Sequence, residues 1–429
     1  MAYKSVRGMH DILPDEADYW TQLEATIRDV ARRFNYREIR PPLVEHTELF
    51  SRGIGAATDV VNKEMYTFSD KKGRSLTLRP EATASVVRSY VEHGMATQDP
   101  FQKLYYIGPM FRYEKPQKGR SRQFHQYGVE AIGSLDPSLD VEVISFAWSL
   151  MRDLGLGGLS LRLNSIGCAD DHKKYREALR AHFAPHIDSM CEDCQRRYDD
   201  NPLRILDCKN RTCQPYIADA PGSAEHLCNE CAEHFERVKE LLDQLRLDYV
   251  IDPHLVRGLD YYTRTVFELT SKDLGAQDAL LGGGRYDDLV KMIGGPDTPG
   301  VGFAGGMERL ILVLKEREEQ VMEHRIDLFL VTLGNAGRTL ALDLSNGLRR
   351  KGLSVDLDYR GRAFRKQMTQ ANKLSARYLL VLGDDEAASK KGKLKDMDSG
   401  EEVEVALSAE EIRKAIEPSR DGESESVSD

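Results

Sequence analysis

Residues 105–133, YYIGPMFRYEKPQKGRSRQFHQYGVEAIG, decide the fold of this 429-residue chain. Two segments rich in aromatic and β-branched residues flank a glycine-containing loop that carries several lysines and arginines. This pattern predicts an antiparallel hairpin with a long basic tip. Arg112 ends the first strand, and period-two alternation places Gln126 and Glu130 on one face of the second. An arginine facing a carboxylate suits a substrate with one anionic and one cationic end, although a surface hairpin with a cross-strand ion pair would give the same pattern.

The composition is that of a globular protein with more than one domain. A length of 429 residues suggests two or three domains, and 41% hydrophobic with 30% charged residues allows a substantial core. No apolar run approaches the roughly 20 residues that span a bilayer. The start, MAYKSVRGMHDILPDE, has no hydrophobic signal region, which indicates a cytoplasmic protein without membrane contact.

The charge distribution leaves nucleic-acid binding open. A net charge of −10 argues against a general nucleic-acid coat. Binding depends on local basic patches, however, and two occur, at residues 115–122 and 360–377.

Periodicity divides the chain into segments. Apolar spacing predicts a helix over 15–34, and a second helix opens near Pro80. Residues 170–250 are charged and helical in spacing, and they interrupt a sheet-like core that resumes at Leu255 and closes with a helix near residue 316. Beyond it, strands alternate with helices at about 336–351 and 363–376, which predicts a small β-α-β-α-β domain.

Four ordered motifs resemble those of class II aminoacyl-tRNA synthetases, and specifically of histidyl-tRNA synthetases. They are FRYEKPQKGRSRQFHQ in the hairpin (motif 2), SLTLRPEAT (75–83), LVRGLDYYTRTVFE (255–268), and GGGRYDDL with GVGFAGGMERL (282–310). The resemblance implies an α+β catalytic domain with a mixed, mostly antiparallel sheet, a helical insertion and a C-terminal α/β anticodon-binding domain. The boundaries expected are 1–168 with 251–320 for the catalytic domain, 169–250 for the insertion, 326–417 for the anticodon-binding domain, and 418–429 for a disordered acidic tail.

The segment YREIRPPLVEHTELF corresponds to motif 1 of this family, which lies at the interface of a homodimer. Its two prolines end a short strand and rule out a helix. A plain strand-to-loop junction fits the same residues, so the expected homodimer depends on the resemblance.

The resemblance implies that the protein activates histidine with ATP and Mg²⁺, then transfers it from the adenylate to the 3′ end of tRNA-His. A carboxylate must attack the α-phosphate, and these two anions repel, so positive groups should converge on the site. By resemblance Arg112 holds the α-phosphate, Arg309 the γ-phosphate, and Arg257 both the α-phosphate and the histidine carboxylate. Any one of these arginines could alternatively form a surface salt bridge.

The resemblance also assigns the contacts to histidine and adenine. A pocket that pairs both imidazole nitrogens would reject other amino acids, because their entry leaves buried polar groups unpaired. The matched residues are Glu130 and Tyr262 for the imidazole, Tyr261 and Tyr286 for the pocket wall, Glu81 and Thr83 for the α-amino group, Gln126 for the polar floor, and Phe124 for adenine stacking. Tyrosines in a strand otherwise pack in a core.

Two basic segments are expected to contact the tRNA. Lys115, Lys118 and Arg120 would bind phosphates of the acceptor end, and by resemblance Gln117 lies near the extra 5′ guanosine of tRNA-His. GRAFRKQMTQANKLSARY would supply the basic helix of the anticodon-binding domain, although alone it could be a solvated helix face.

The cysteine pattern departs from many histidyl-tRNA synthetases. Cys191-x-x-Cys194 and Cys228-x-x-Cys231 are two knuckle-like pairs, which in a cytosolic protein favour tetrahedral zinc over disulfides. We therefore expect one structural zinc held by these four residues, with Cys208 and Cys213 as alternates. Unligated thiols and redox pairing are the other interpretations.

Two other functions must be weighed. The synthetase-like regulatory subunit of ATP phosphoribosyltransferase shares the catalytic fold, but it lacks the anticodon domain and has eroded motifs. A different class II synthetase is disfavoured by the LVRGLDYY segment.

Overall fold

The computed structural model describes residues 3–55, 58, 60–116, 119–271, 279–316 and 325–416. The chain forms two compact units, Met1–Glu319 and Gln320–Asp429. The proposed tail 418–429 lies outside the described residues. Within the described ranges, none of the helices has the length and apolar character needed to cross a bilayer.

The first unit is built from eleven described strands in two sheets. In chain order they are β1 (Arg37–Glu38), β2 (Val44–His46), β3 (Tyr66–Ser69), β4 (Ser75–Leu78), β5 (Gln102–Phe111), β6 (Gln123–Ile132), β7 (Leu159–Ser165), β8 (Tyr249–Ile251), β9 (Thr263–Ser271), β10 (Ala279–Arg285) and β11 (Gly300–Gly306). The large sheet has the order β1-β5-β6-β11-β10-β9-β7-β8, and the small one β2-β4-β3. Only the two edge pairings of the large sheet, β1 with β5 and β7 with β8, are parallel. The expected mixed, mostly antiparallel sheet is confirmed.

Helices cover the large sheet and fill the connections between its strands. They are α1 (Pro14–Arg33), α2 (Thr47–Ile54), α3 (Thr83–Glu92), α4 (Met95–Gln98), α5 (Pro137–Asp153), α6 (Ala169–Phe183), α7 (Glu192–Asp200), α8 (Gln214–Ala218), α9 (Asn229–Gln244), α10 (Leu289–Met292) and α11 (Met307–Glu316). Helix α1 buries the apolar stripe that its spacing predicts, including Leu23, Ile27 and Val30. A π-helical turn spans Val60–Glu64, and 3₁₀ turns span Ile187–Ser189, Pro202–Ile205 and Ser223–His226.

The hairpin predicted from residues 105–133 is present as β5 and β6. Its register runs without a break from Gln102 opposite Ile132 to Phe111 opposite Gln123. Ten residues on each strand pair across the hairpin, which places the basic loop at one end of the sheet.

Two expectations about the first unit need correction. Helix α2 begins at Thr47, so the prolines of the motif 1 segment exclude a helix only in the residues before it. The predicted insertion is also less separate than expected. Helix α9 buries Phe235 and Val238 in the same core as the sheet, and β8 extends the sheet itself.

The second unit contains the expected β-α-β-α-β arrangement and an extension that the sequence did not reveal. Its elements are β12 (Leu328–Thr332), α12 (Gly334–Arg350), β13 (Val355–Leu357), α13 (Phe364–Lys373), β14 (Tyr378–Leu382), α14 (Asp384–Ser389), β15 (Lys391–Asp396), β16 (Glu402–Ala406) and α15 (Ala409–Ile416). The sheet order is β13-β12-β14-β15-β16, with the last two strands antiparallel. The charged hairpin β15–β16 gives only a weak apolar signal, because Lys recurs at alternate positions of β15 and Glu at alternate positions of β16.

Candidate active site

A cleft of about 410 Å³ lies over the large sheet of the first unit. The segment after β5, strand β6, the segment before β9, and strands β9, β10 and β11 all contribute to its lining. Ten of the residues selected from the sequence line this one cleft: Glu81, Thr83, Arg112, Arg120, Phe124, Gln126, Arg257, Tyr261, Tyr262 and Arg309.

The three predicted arginines converge on the cleft and are held in place by oxygen acceptors. Arg112 Nε donates to Pro80 O at 2.9 Å, and its guanidinium lies 5.3 Å from the centre of the Phe124 ring. Arg309 Nη1 donates to Ala279 O at 2.6 Å. Arg257 Nη1 donates to Glu268 Oε2 at 2.8 Å. The three cationic groups therefore face one space from different elements, as the binding of a polyphosphate requires.

Arg257 depends on a glycine in the neighbouring strand. Its guanidinium lies so close to Gly282 that a Cβ there would overlap Arg257 Nη1 and Nη2. The Nε atom of Arg257 is buried and has no hydrogen-bond partner among the described residues. The glycine run of β10 thus provides the space in which this arginine lies against the sheet.

The carboxylate of Glu130 forms a buried polar floor beneath the cleft. Thr83 Oγ1 donates to Glu130 Oε1 at 2.6 Å, and Tyr286 OH donates to Glu130 Oε2 at 2.5 Å. Burial raises the pKa of Glu130 to about 8, although both hydrogen bonds oppose that shift. Glu130 and Tyr286 do not line the cleft themselves but lie directly below the residues that do.

The other predicted histidine contacts surround this floor. Glu81 accepts hydrogen bonds from the backbone N–H groups of Thr83 at 2.6 Å and Ala84 at 3.0 Å, so it caps helix α3 as well as lining the cleft. Burial raises the pKa of Glu81. The rings of Tyr261 and Tyr262 pack with their centroids 4.7 Å apart.

Gln126 presents an unpaired acceptor to the cleft. Its Oε1 atom is buried and makes no hydrogen bond within the described part of the chain. A buried amide oxygen without a partner costs free energy, so a donor group of a bound ligand would stabilise it.

Of the four predicted tRNA contacts in the first unit, two belong to the described residues, namely Lys115 and Arg120. Arg120 lines the cleft and pairs with Glu114 at 3.4 Å. Lys115 is exposed and is not part of the described lining. Gln117 and Lys118 lie outside the described residues.

Five further charged residues line the cleft and were not selected from the sequence: Glu64, Glu114, Arg204, Glu268 and Glu308. Glu268 pairs with Arg257, Glu308 accepts from the backbone N–H of His125 at 2.8 Å, and Arg204 Nη1 donates to Arg257 O at 3.1 Å. The signal for Glu268 was a lone carboxylate inside the apolar strand TVFELT. Arg204 gave no local signal, because it approaches the cleft from the predicted insertion.

The cysteines form two clusters, not the single set expected. One cluster contains Cys191 and Cys194 together with the alternates Cys208 and Cys213. The other contains Cys228 and Cys231 together with Cys168 and Asp171. The expectation that Cys191, Cys194, Cys228 and Cys231 bind one ion together is therefore wrong. The two knuckles begin different helices, α7 and α9, and each finds its partners elsewhere.

A mixed, mostly antiparallel sheet that carries convergent arginines, joined to a separate α/β unit, defines a class II aminoacyl-tRNA synthetase. Comparisons with known proteins give the particular family. Residues 8–310 match the family described as histidyl-tRNA synthetase, and residues 327–417 match the anticodon binding domain.

Individual relatives match along nearly the whole chain. A histidine–tRNA ligase of Caldanaerobacter subterraneus is 47% identical, with 97% of this chain and 100% of the relative covered. The Bacillus subtilis histidine–tRNA ligase is 49% identical, with 95% and 97% covered. The structure of apo S. aureus histidyl-tRNA synthetase superimposes with a TM-score of 0.80 at 41% identity, covering 97% and 99% of the two chains. The chain belongs to the histidyl-tRNA synthetase family.

Proposed function

We propose that the cleft is the site at which this chain, a histidine–tRNA ligase, forms histidyl-adenylate from histidine and ATP. The observation that carries the proposal is the arrangement of Arg112, Arg257 and Arg309 around one cleft, with the buried carboxylate of Glu130 beneath it. Cationic groups are required where two anions must approach, and a buried carboxylate is suited to bind a ring N–H of the histidine side chain.

The geometry supports a division of labour within the cleft. Arg112, stacked on Phe124, would bind the α-phosphate while Phe124 contacts the adenine, and Arg309 would bind the γ-phosphate. Arg257 would hold the histidine carboxylate against the α-phosphate, so that its charge offsets the charge that develops during attack. Glu81, Thr83 and Gln126 would hold the α-ammonium group.

The imidazole would enter beneath these groups. Glu130 would accept one ring N–H, and Tyr262 would contact the other side of the ring, with Tyr261 and Tyr286 as the walls of the pocket. The carboxylates of Glu268 and Glu308 line the cleft and offer oxygen ligands for the Mg²⁺ that accompanies ATP, an ion that typically binds through one or two carboxylates and the phosphates.

Transfer to tRNA-His would use both units. Arg120 lines the cleft, and Lys115, Gln117, Lys118 and Arg120 would contact the acceptor end. The second unit would contact the anticodon. A homodimer is further supported by two exposed apolar residues on the small sheet, Val44 within the motif 1 segment and Phe68 on the neighbouring strand β3.

Arg257→Gln tests the active-site assignment. Loss of the charge should lower histidine-dependent pyrophosphate exchange by about 10²–10³-fold, as expected when a group that stabilises developing charge is removed. Binding of ATP should fall far less. Arg122→Gln, which changes an arginine at the base of the loop between β5 and β6 and outside the described lining of the cleft, is the matched control. An Arg257→Gln enzyme with normal exchange would contradict the assignment.

We also propose that Cys191, Cys194, Cys208 and Cys213 bind one structural zinc ion. Their sulfur atoms lie within 4.8 Å of one another. Cys191 Sγ and Cys208 Sγ are 3.7 Å apart, close to the edge of a tetrahedron with zinc–sulfur bonds of about 2.3 Å. Backbone N–H groups of Cys191 and Asn210 point at Cys213 Sγ and Cys208 Sγ at 3.3 and 3.4 Å, which favours the thiolate form.

Elemental analysis tests this zinc site. Cys208→Ser should remove one zinc per chain and lower the melting temperature, because the ion fixes the turn Pro202–Ile205 that carries Arg204. Lys209→Ser, next to it in the chain, should leave the zinc content unchanged. Full zinc content in Cys208→Ser would refute the site.

A further inference from the structure

The second cluster, formed by Cys168, Asp171, Cys228 and Cys231, has the form of a separate metal site. One ligand atom from each residue lies within 4.8 Å of all the others. Together with the first cluster it accounts for all seven cysteines of the chain. We propose that these four residues bind a second zinc ion, through three thiolates and one carboxylate oxygen.

Two helix N-termini meet at this cluster. Cys168 is the N-cap of the 15-residue helix α6, and Asp171 lies in its first turn. Cys228 is the N-cap of the 16-residue helix α9, and Cys231 lies in its first turn. The spacing of three residues puts each pair on one side of one helical turn. The positive ends of both helices therefore favour the anionic forms that a metal requires.

The groups around the cluster support the ligands as outer-shell partners do in metal sites. Asp171 accepts the backbone N–H of Cys168 at 3.2 Å with one oxygen and that of Cys228 at 2.9 Å with the other. These bonds fix the carboxylate and leave a lone pair on each oxygen for an ion. Lys174 Nζ lies 3.8 Å from Asp171, and the nearly buried Arg264 interacts electrostatically with Cys231.

The ligand set selects the kind of ion. Mg²⁺ and Ca²⁺ prefer oxygen ligands, whereas thiolates favour Zn²⁺ among the ions that adopt tetrahedral geometry. Three thiolates and a carboxylate around Zn²⁺ leave a net charge of −2, which Lys174 and Arg264 offset in part, since Arg264 also pairs with Glu230 and Asp287. A disulfide within the cluster would use two thiols and leave the third beside a buried carboxylate, so it accounts for less of the arrangement.

The position of the cluster gives the ion a structural role. Cys168 follows β7, and Cys228 lies 60 residues later at the start of the helix that returns to the core. An ion here would link the two ends of segment 168–228, which contains the four cysteines of the first zinc site. Arg264, two residues after Tyr262, connects the cluster to the strand that borders the histidine pocket.

Metal analysis of the full-length protein tests the proposal directly. The wild-type protein, purified without chelator, should contain about two zinc ions per chain, and Cys231→Ser should contain about one. The double variant Cys208→Ser/Cys231→Ser should contain none. Glu233→Gln is the matched control, because it removes an exposed carboxylate from the same helix and should retain both ions.

X-ray absorption at the zinc edge identifies the ligands. In Cys208→Ser, which isolates the second site, we expect three sulfur neighbours at about 2.3 Å and one oxygen at about 2.0–2.2 Å. The proposal is overturned if the wild-type protein holds no more than one zinc, or if Cys231→Ser retains as much as the wild type. One zinc that is lost in Cys208→Ser but kept in Cys231→Ser would leave the first site intact and eliminate the second.

Discussion

Glu130 combines a buried carboxylate with a role in substrate recognition, and the two properties are linked. Its pKa is raised to about 8, chiefly by burial, and the nearby Glu81 is also buried with a raised pKa. Burial favours the protonated form of Glu130, whereas a bound imidazole N–H would stabilise the ionised form. Binding of histidine would therefore shift Glu130 from its protonated to its ionised form.

The raised pKa predicts a pH dependence of stability. Unfolded Glu130 loses its proton near pH 4.5, whereas the folded protein keeps it up to about pH 8. The folded state binds more protons in this window, so this group's contribution to stability falls as pH rises, by at most about 1.4 kcal/mol per pH unit. Glu130→Gln lacks this titration. Thermal melting from pH 5 to 8 should show the variant gaining relative to the wild type.

A control separates this effect from general charge effects. Glu92→Gln, which removes a carboxylate whose side chain is 58% exposed, is the matched control. Parallel profiles for Glu130→Gln and the wild type would show that Glu130 ionises normally in the folded protein.

Residue-level reasoning from sequence worked where motifs fix both identity and position. Arg112, Arg257 and Arg309 were selected from separate segments, and the structure brings all three to one cleft. The grouping of the cysteines could not be obtained in this way, since spacing defines each pair but not its partners. Asp171 was missed because its signal is spatial: it reaches the cysteines only when the starts of α6 and α9 meet.

At the level of elements, the glycine-rich strand β10 shapes the active site because its glycines have no side chains. Gly282 leaves the volume that the Arg257 guanidinium occupies, and Gly302 on β11 leaves the volume beside Glu130 Oε2. The sequence places these glycines within GGGRYDDL and GVGFAGGMERL, where the absence of a Cβ allows close approach. It could not indicate which side chain fills each space, because that depends on strand register.

Gly282→Ala should therefore damage catalysis more than folding. The added methyl group would overlap the Arg257 guanidinium and displace it, so pyrophosphate exchange should fall by about 100-fold or more. Gly157→Ala is the matched control, because a Cβ there meets nothing within 4 Å, and it should retain full exchange. Exchange within twofold of wild type in Gly282→Ala would show that Arg257 does not need this position.

The molecule consists of two units, and each unit has its own hydrophobic core. The alternation of strands and helices was sufficient to predict the core of the second unit. It was insufficient for β15, β16 and their flanking helices, whose charged faces hide the apolar pattern. The predicted insertion was misjudged for a related reason, because composition alone does not reveal that α9 and β8 return to the catalytic core.

This division predicts that tRNA binding can be weakened without loss of amino-acid activation. Arg365 and Lys366 are exposed on helix α13 of the second unit, and phosphate contacts by such residues depend on salt. Arg365→Ala/Lys366→Ala should lower kcat/KM for tRNA-His, reduce the salt slope of tRNA binding by about two, and leave pyrophosphate exchange unchanged. Lys391→Ala/Lys393→Ala changes two exposed lysines on β15 of the same unit and should affect neither reaction. If both double variants charge tRNA-His like the wild type, helix α13 is not the tRNA-binding surface, and its basic residues are only solvated.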